Sequence, residues 1–267
     1  MNARKLIPLA AVVLLLLPLL TAFGPPQQDP DPAIVMTIQA GYGLHFRPDY
    51  WLPLFITVSN DGPDVRGSLR VRAETNAGLG DTTYSAPIDL PRQSRKQVFL
   101  YIAPQSYARQ IIVELVAEDG AVLAIANSQL LPVQPADVLA AVITDSPGGS
   151  VDLGGIPIGA GQSYQSNIST EQIAPQADAL LPLNLMVFSD VDTGQLTVEQ
   201  VQAITDWVLA GGHLVVTGGP NYRLTAEGLR DLLPLDLTGT STLDDLTPLA
   251  AYAGRPGDAL AEPDIIA

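Results

Sequence analysis

From Ile34 to about Val133 the chain carries short runs of aliphatic, β-branched and aromatic residues, broken by turn residues and without helical period. Seven runs predict strands: Ile34 to Tyr42, Leu52 to Ser59, Ser68 to Glu74, Thr83 to Leu90, Lys96 to Ile102, Gln110 to Ala117 and Val122 to Ser128. Alternation is plainest in Leu54, Ile56 and Val58 and in Leu69, Val71 and Ala73. Arg70 and Arg72 take the opposite face there, as a sheet with one buried side requires. Asn60-Asp61-Gly62-Pro63 and Glu118-Asp119-Gly120 supply the residues that tight turns need.

After a linker at Leu131 to Pro135 the pattern changes to continuous apolar runs separated by a helix, which places a boundary near residue 135. Val138 to Thr144 and Leu185 to Phe188 read as parallel strands covered on both faces. Thr197 with Gln200 forms a capping-box pattern and Gly211-Gly212 a C-terminal stop, so a helix is predicted over Val198 to Ala210. Its apolar stripe is Val201, Ile204, Trp207 and Val208, with Gln200, Gln202 and Asp206 toward water. The next strand, His213 to Val216, completes a right-handed β-α-β unit, and a short helix from Ala226 to Leu233 is expected behind a Thr225 cap.

Two resemblances follow from these residues. Phe55 to Gly62 with Gly67 to Val71 resembles the strand-turn-strand opening of immunoglobulin-like modules of bacterial surface proteins. Leu185 to Asp190, the helix, and Trp207 to Gly219 resemble the class I glutamine-amidotransferase-like fold, in the non-catalytic branch found in bacterial membrane-associated proteins. The expected fold is therefore multidomain: an immunoglobulin-like β-sandwich over residues 34–134, then a flavodoxin-like parallel-sheet domain over 135–267. The catalytic families of that fold place a cysteine on the turn after the strand, which here falls at Thr217 or Gly218. The chain has no cysteine, and no histidine follows His213, so the resemblance carries no activity over. It also implies a fold that continues past Ala267, so the second domain is expected to be truncated, with a C-terminal part outside this sequence.

The N-terminus adds location. Arg4 and Lys5 precede an apolar run from Leu6 to Leu20, then Thr21-Ala22-Phe23-Gly24, the order of a secretory signal. The run is shorter than the roughly 20 residues of a comfortable span. Residues 1–22 are read as a signal peptide or anchor and 23–33 as a Pro-rich linker, giving a secreted or membrane-anchored protein.

Charge narrows the partners. Residues 1–135 hold ten Lys and Arg against eleven Asp and Glu, while 136–267 hold three against seventeen. An acidic surface with no basic stripe or arginine cluster anywhere in the chain argues against nucleic acid. The absence of cysteine removes disulfides, thiolate nucleophiles and Cys-type zinc sites, and His45 and His213 fit no metal-ligand spacing, so no metal or other cofactor is expected. The glycine-rich stretch Gly154 to Gly161 matches neither dinucleotide nor P-loop patterns.

The candidate ligand site is the C-terminal edge of the parallel sheet, with Asp145, Asp190, Asp192, Thr217, Gly218 and Gly219, where such folds take ligands. The competing reading of Asp190 and Asp192 is a loop whose carboxylates cap backbone amides. Likewise Asp61 with Asp64, or Asp81, offers oxygens to Ca²⁺ or serves turns, and Tyr42, His45, Phe46, Tyr50 and Trp51 either plug a core or present aromatic surface. The function expected is a non-enzymatic envelope protein whose β module presents an α/β module to another envelope component. The membrane is touched only through the N-terminal segment or a C-terminal anchor outside the sequence. The alternatives are a hydrolase or amidotransferase-like enzyme whose catalytic residues lie in that outside part, and a carbohydrate-binding module using Tyr50 and Trp51.

Overall fold

The computed structural model describes residues 33–73, 82–145, 151–219, 221–239, 242–243, 247, 252 and 265–266. The apolar run Leu6 to Leu20, the Pro-rich stretch up to Pro32, Glu74, Asp81 and Pro220 lie outside the described residues. Among those described, no helix is long and apolar enough to cross a membrane.

The chain is β-rich, with several antiparallel sheets. It opens with β1 (Ile34–Ala40), β2 (His45–Phe46), β3 (Leu52–Asn60), β4 (Val65–Ala73), β5 (Thr82–Leu90), β6 (Ser94–Ile102), β7 (Gln110–Ala117) and β8 (Val122–Gln129). These form two antiparallel sheets, ordered β1-β3-β6 and β5-β4-β7-β8. The inward residues of both, among them Leu54, Ile56, Val58, Leu69, Val71, Val113 and Leu115, meet in one core and are fully buried. At about 25 cal/mol per Å² of apolar surface removed from water, this burial is the main term holding the sheets together. Asn60 closes the first turn from inside, its Nδ2 donating to the Pro63 carbonyl at 2.7 Å and its Oδ1 accepting from the Gly62 amide at 2.9 Å.

The expected linker is partly a strand. β9 (Leu131–Pro132) pairs in parallel with β2 and ties the exit of the first module to the segment after β1. Then come β10 (Val138–Ile143), β11 (Pro157–Ile158), β12 (Gly161–Ile168), α1 (Ala177–Leu180), β13 (Leu185–Phe188), α2 (Val198–Leu209), β14 (His213–Val216) and α3 (Tyr222–Glu227). Their sheet runs β11-β12-β10-β13-β14, with β12, β10, β13 and β14 mutually parallel and β11 antiparallel to β12. Two short strands, β15 (Thr242–Leu243) and β16 (Ile265–Ile266), pair with each other.

One strand was not predicted, and two expectations need correction. β12 is Gly-Gln-Ser-Tyr-Gln-Ser-Asn-Ile, without an apolar run, and Ser163 and Ser166 are buried in it. Ser163 is satisfied locally: its Oγ accepts from the Ile156 amide at 2.9 Å and donates to the Leu153 carbonyl. Gln200 is buried, whereas the helical wheel points it to water. Its Oε1 closes the capping box on the Thr197 amide at 2.9 Å, and its Nε2 donates to the carbonyls of Thr170 and Ile173, both at 2.8 Å. The last helix begins earlier than expected, at Tyr222 behind Asn221, and Thr225 is a buried residue within it rather than its cap. A 3₁₀ turn at Arg230–Leu232 completes that stretch.

The core of the second module is centred on Leu139, Ile143, Met186, Phe188, Ile204 and Trp207. Trp207 is fully buried, and its Nε1 donates to the Leu183 carbonyl at 3.2 Å. Gly212 is required beside it, since a Cβ there would run into the indole ring.

The two modules share an interface. Arg47, just after β2, donates from Nη2 to Asn184 Oδ1 at 3.0 Å and to the Asp137 carbonyl at 3.1 Å, with longer bonds to the Pro182 and Gln134 carbonyls. Asn184 Oδ1 also accepts from the Leu139 amide at 2.9 Å, so the guanidinium grips the N-terminal ends of β10 and β13. Tyr42 is buried in the second core and donates its hydroxyl to the Ala179 carbonyl of α1 at 2.8 Å. The His45 ring packs on Tyr164 at 4.6 Å, and Gln97 donates to Glu171 at 3.2 Å.

Candidate functional site

Ile143, Phe188 and Val216 are aligned across β10, β13 and β14. Asp145, Asp190 and Gly218 each lie two residues beyond that line, so parallel register brings these tips to one edge of the sheet. All three are exposed, and Thr217 is half-buried, its amide donating to the Phe188 carbonyl at 2.9 Å. Gly219 has φ +108°, a turn that a side chain would strain.

Two of the carboxylates at this edge, Asp190 and Asp192, are engaged. Asp190 has φ +50°, unusual for a residue with a Cβ, and its Oδ1 accepts from Asn221 Nδ2 at 2.6 Å. Asp192 accepts from the Gly194 amide at 2.9 Å and from Gln195 Nε2 at 3.2 Å, an Asx turn. Behind them two buried threonines stitch the loop after β13 to α3. Thr225 Oγ1 accepts from the Val191 amide at 3.3 Å, and Thr193 Oγ1 accepts from the Gly228 amide at 2.9 Å and donates toward the carbonyls of Leu224 and Thr225 at 3.1 Å. The edge is a surface of backbone, glycine and carboxylates in which Asp190 is held by Asn221 and Asp192 by its own turn.

Chemically, a hydroxyl at Thr217 needs an adjacent base to act as a nucleophile at neutral pH. His213 starts the same strand, four residues or about 13 Å away along it. His45 sits at the module interface, where burial holds its pKa below the ordinary 6.5. Among the described residues no group of three His, Cys, Asp or Glu side chains is placed to hold a metal ion.

The aromatic stretch divides. Tyr42 and Phe46 are buried in the two cores, whereas Tyr50 and Trp51 stay at the surface, Trp51 being 43% exposed and edge-on to Tyr84. Asp64 accepts from the Arg92 amide at 2.8 Å, which is turn chemistry.

The linear reading missed a group that the fold assembles. Arg70 and Arg72 fall at alternate positions of β4, exposed like Arg66 earlier in the strand, and Arg109 joins this pair from the approach to β7. The reading that no arginine cluster exists is therefore corrected. Spacing by even numbers on a predicted strand was the signal, and it looks sparse only when intervening residues are counted as separators.

An antiparallel two-sheet module followed by a parallel-sheet module is thus the class of protein defined here. Residues 33–131 match the model of a domain of unknown function, DUF8726. No curated protein matches the chain. Among solved structures it is similar to a β-glucosidase of Erythrobacter marinus (10% identity, 38% of this chain and 15% of that one, TM-score 0.28). It is also similar to the sporulation control protein Spo0M of Bacillus subtilis (10%, 38% and 49%, TM-score 0.26) and to an alkylpurine DNA glycosylase of Pseudomonas fluorescens (11%, 37% and 30%, TM-score 0.28). The chain spans less than half the length of each of these three.

Proposed function

We propose that this is a non-enzymatic protein of the bacterial cell envelope, in which an immunoglobulin-like β-sandwich holds an amidotransferase-like α/β module toward a partner, another envelope component. The observation that carries this reading is how the modules meet. Arg47 grips the N-terminal ends of β10 and β13, and no inter-module hydrogen bond among the described residues reaches the tips at Asp145, Asp190 or Thr217 to Gly219. The edge where parallel sheets receive ligands is left facing outward, with Asp190 and Asp192 tied into their loops. Export rests on Arg4, Lys5 and the apolar run after them.

The test has two arms. Amide, ester and glycoside substrates are offered to the purified chain and to Thr217→Ala; no turnover is expected, and turnover that vanishes in the variant overturns the reading. In cells, protease added outside the cytoplasmic membrane is expected to digest the protein, and full protection overturns the envelope location.

A further inference from the structure

The solvent face of β4 carries a feature that the reading above does not use. The two-residue strand period puts Arg70 and Arg72 about 7 Å apart on one face. Together with Arg109 they line an open groove of about 550 Å³ between the sheet and the segment leading into β7. Tyr107, Gln105, Gln110 and Glu114 complete the polar and aromatic part of its wall.

The hydrogen-bond partners of Arg70 and Arg109 among the described residues carry no charge. Arg70 Nε donates to Ser68 Oγ at 3.0 Å, and Arg109 Nη1 donates to the carbonyls of Ser106 and Ala108, both at 2.9 Å; these acceptors are all neutral. Glu114 is opposite Arg70 in the β4–β7 register, yet among the described residues no carboxylate lies within the 4.0 Å of an ion pair with these arginines. Three guanidinium groups thus face one carboxylate, in a chain whose formal charge is −15. The three arginines concentrate positive charge along one wall, so an anion gains by docking here.

The other groups narrow the ligand. A guanidinium fork pairs with a carboxylate in bidentate fashion. Tyr107, 41% exposed, brings an aromatic side chain to the wall, and the amides of Gln105 and Gln110 with the Glu114 carboxylate offer donors and acceptors for hydroxyl groups. Guanidinium forks pair with phosphate as well as with carboxylate, so inorganic polyphosphate is the competing probe; it has no hydroxyl groups for the amides of Gln105 and Gln110 and no ring to lie against Tyr107. We propose that this groove binds an acidic glycan, a polymer of sugars bearing carboxylates, through Arg70, Arg72 and Arg109 with Tyr107 against a sugar ring. The site lies on the β module, away from the parallel-sheet edge, and stands whether or not that edge binds a partner.

Affinity electrophoresis of the full chain tests this, with polygalacturonate, neutral dextran and inorganic polyphosphate as probes. Retardation by polygalacturonate alone is expected. Arg72→Gln should weaken it about tenfold, the loss of one charge-assisted bidentate contact, and Tyr107→Ala by about fivefold. Arg230→Gln, an exposed arginine of the other module, should change nothing. No retardation by polygalacturonate, equal retardation by dextran or by polyphosphate, or an unchanged affinity in Arg72→Gln or Tyr107→Ala would each overturn the proposal.

Discussion

The two modules build their cores in different ways. The buried cluster of the β module is drawn entirely from residues 34–130. The cluster of the α/β module takes in Tyr42 and packs Phe99 and Tyr101, all from the β module, against its own Leu139, Phe188 and Trp207. One module is self-contained, and the other is finished by its neighbour. Antiparallel sheets can close a core by pairing two faces, but a short parallel sheet needs cover on both sides. α1 is a single turn, so the aromatics of the β module supply part of that cover.

Cutting the chain breaks this comparison most directly. Residues 33–131 expressed alone are expected to unfold cooperatively, whereas residues 132–239 alone are expected to lose their cooperative transition by calorimetry. Equal cooperativity in the two fragments would remove the asymmetry. A smaller effect is expected from Trp207→Ala, about 3–5 kcal/mol for an emptied aromatic site. In the intact chain it should weaken the α/β module enough to split the single thermal transition, with the β module's part left nearly in place.

Arg47→Ala addresses the joint itself. Losing its two bonds near 3 Å to Asn184 and Asp137 should cost about 2 kcal/mol, and one thermal transition should separate into two. Least in size is a pH effect at His45, whose ring packs on Tyr164 across the interface. Its Nδ1 is buried without a partner among the described residues, and burial lowers its pKa below 6.5. The folded state therefore favours the neutral ring. Its contribution is complete above pH 6.5 and is lost as the pH falls through the depressed folded value. Melting temperatures between about pH 8 and pH 5 should decline more steeply for the native chain than for His45→Asn.

Tyr101 belongs to the same joint. Its hydroxyl is buried without a partner among the described residues, and burial pushes its pKa up to about 12. It stays neutral through the whole of that pH range, so the slope is assigned to His45.

Much of this architecture was legible along the chain, and the exceptions share a cause. Leu54, Ile56 and Val58 are buried as their alternation requires, and β13, α2 and β14 fall where apolar runs and the Thr197 capping box put them. β12 was hidden because it has no apolar run, and its buried Ser163 is satisfied by backbone groups seven and ten residues earlier. Gln200 was assigned to water because its partners, the carbonyls of Thr170 and Ile173, lie on a distant turn. At the sheet edge, the sequence indicated which tips would gather, but not that Asn221 would hold Asp190 from the opposite loop.

Hydrophobic period, turn residues and helix caps act over a few positions, and so the sequence by itself determined the strands of the first module, the β-α-β unit and the lack of any thiol. Tertiary structure alone decided which polar side chains are buried, that Arg47 and Tyr42 lock one module to the other, and that scattered arginines share a groove. These outcomes depend on partners distant in the chain, whose contribution is felt only once folding has removed water from between them.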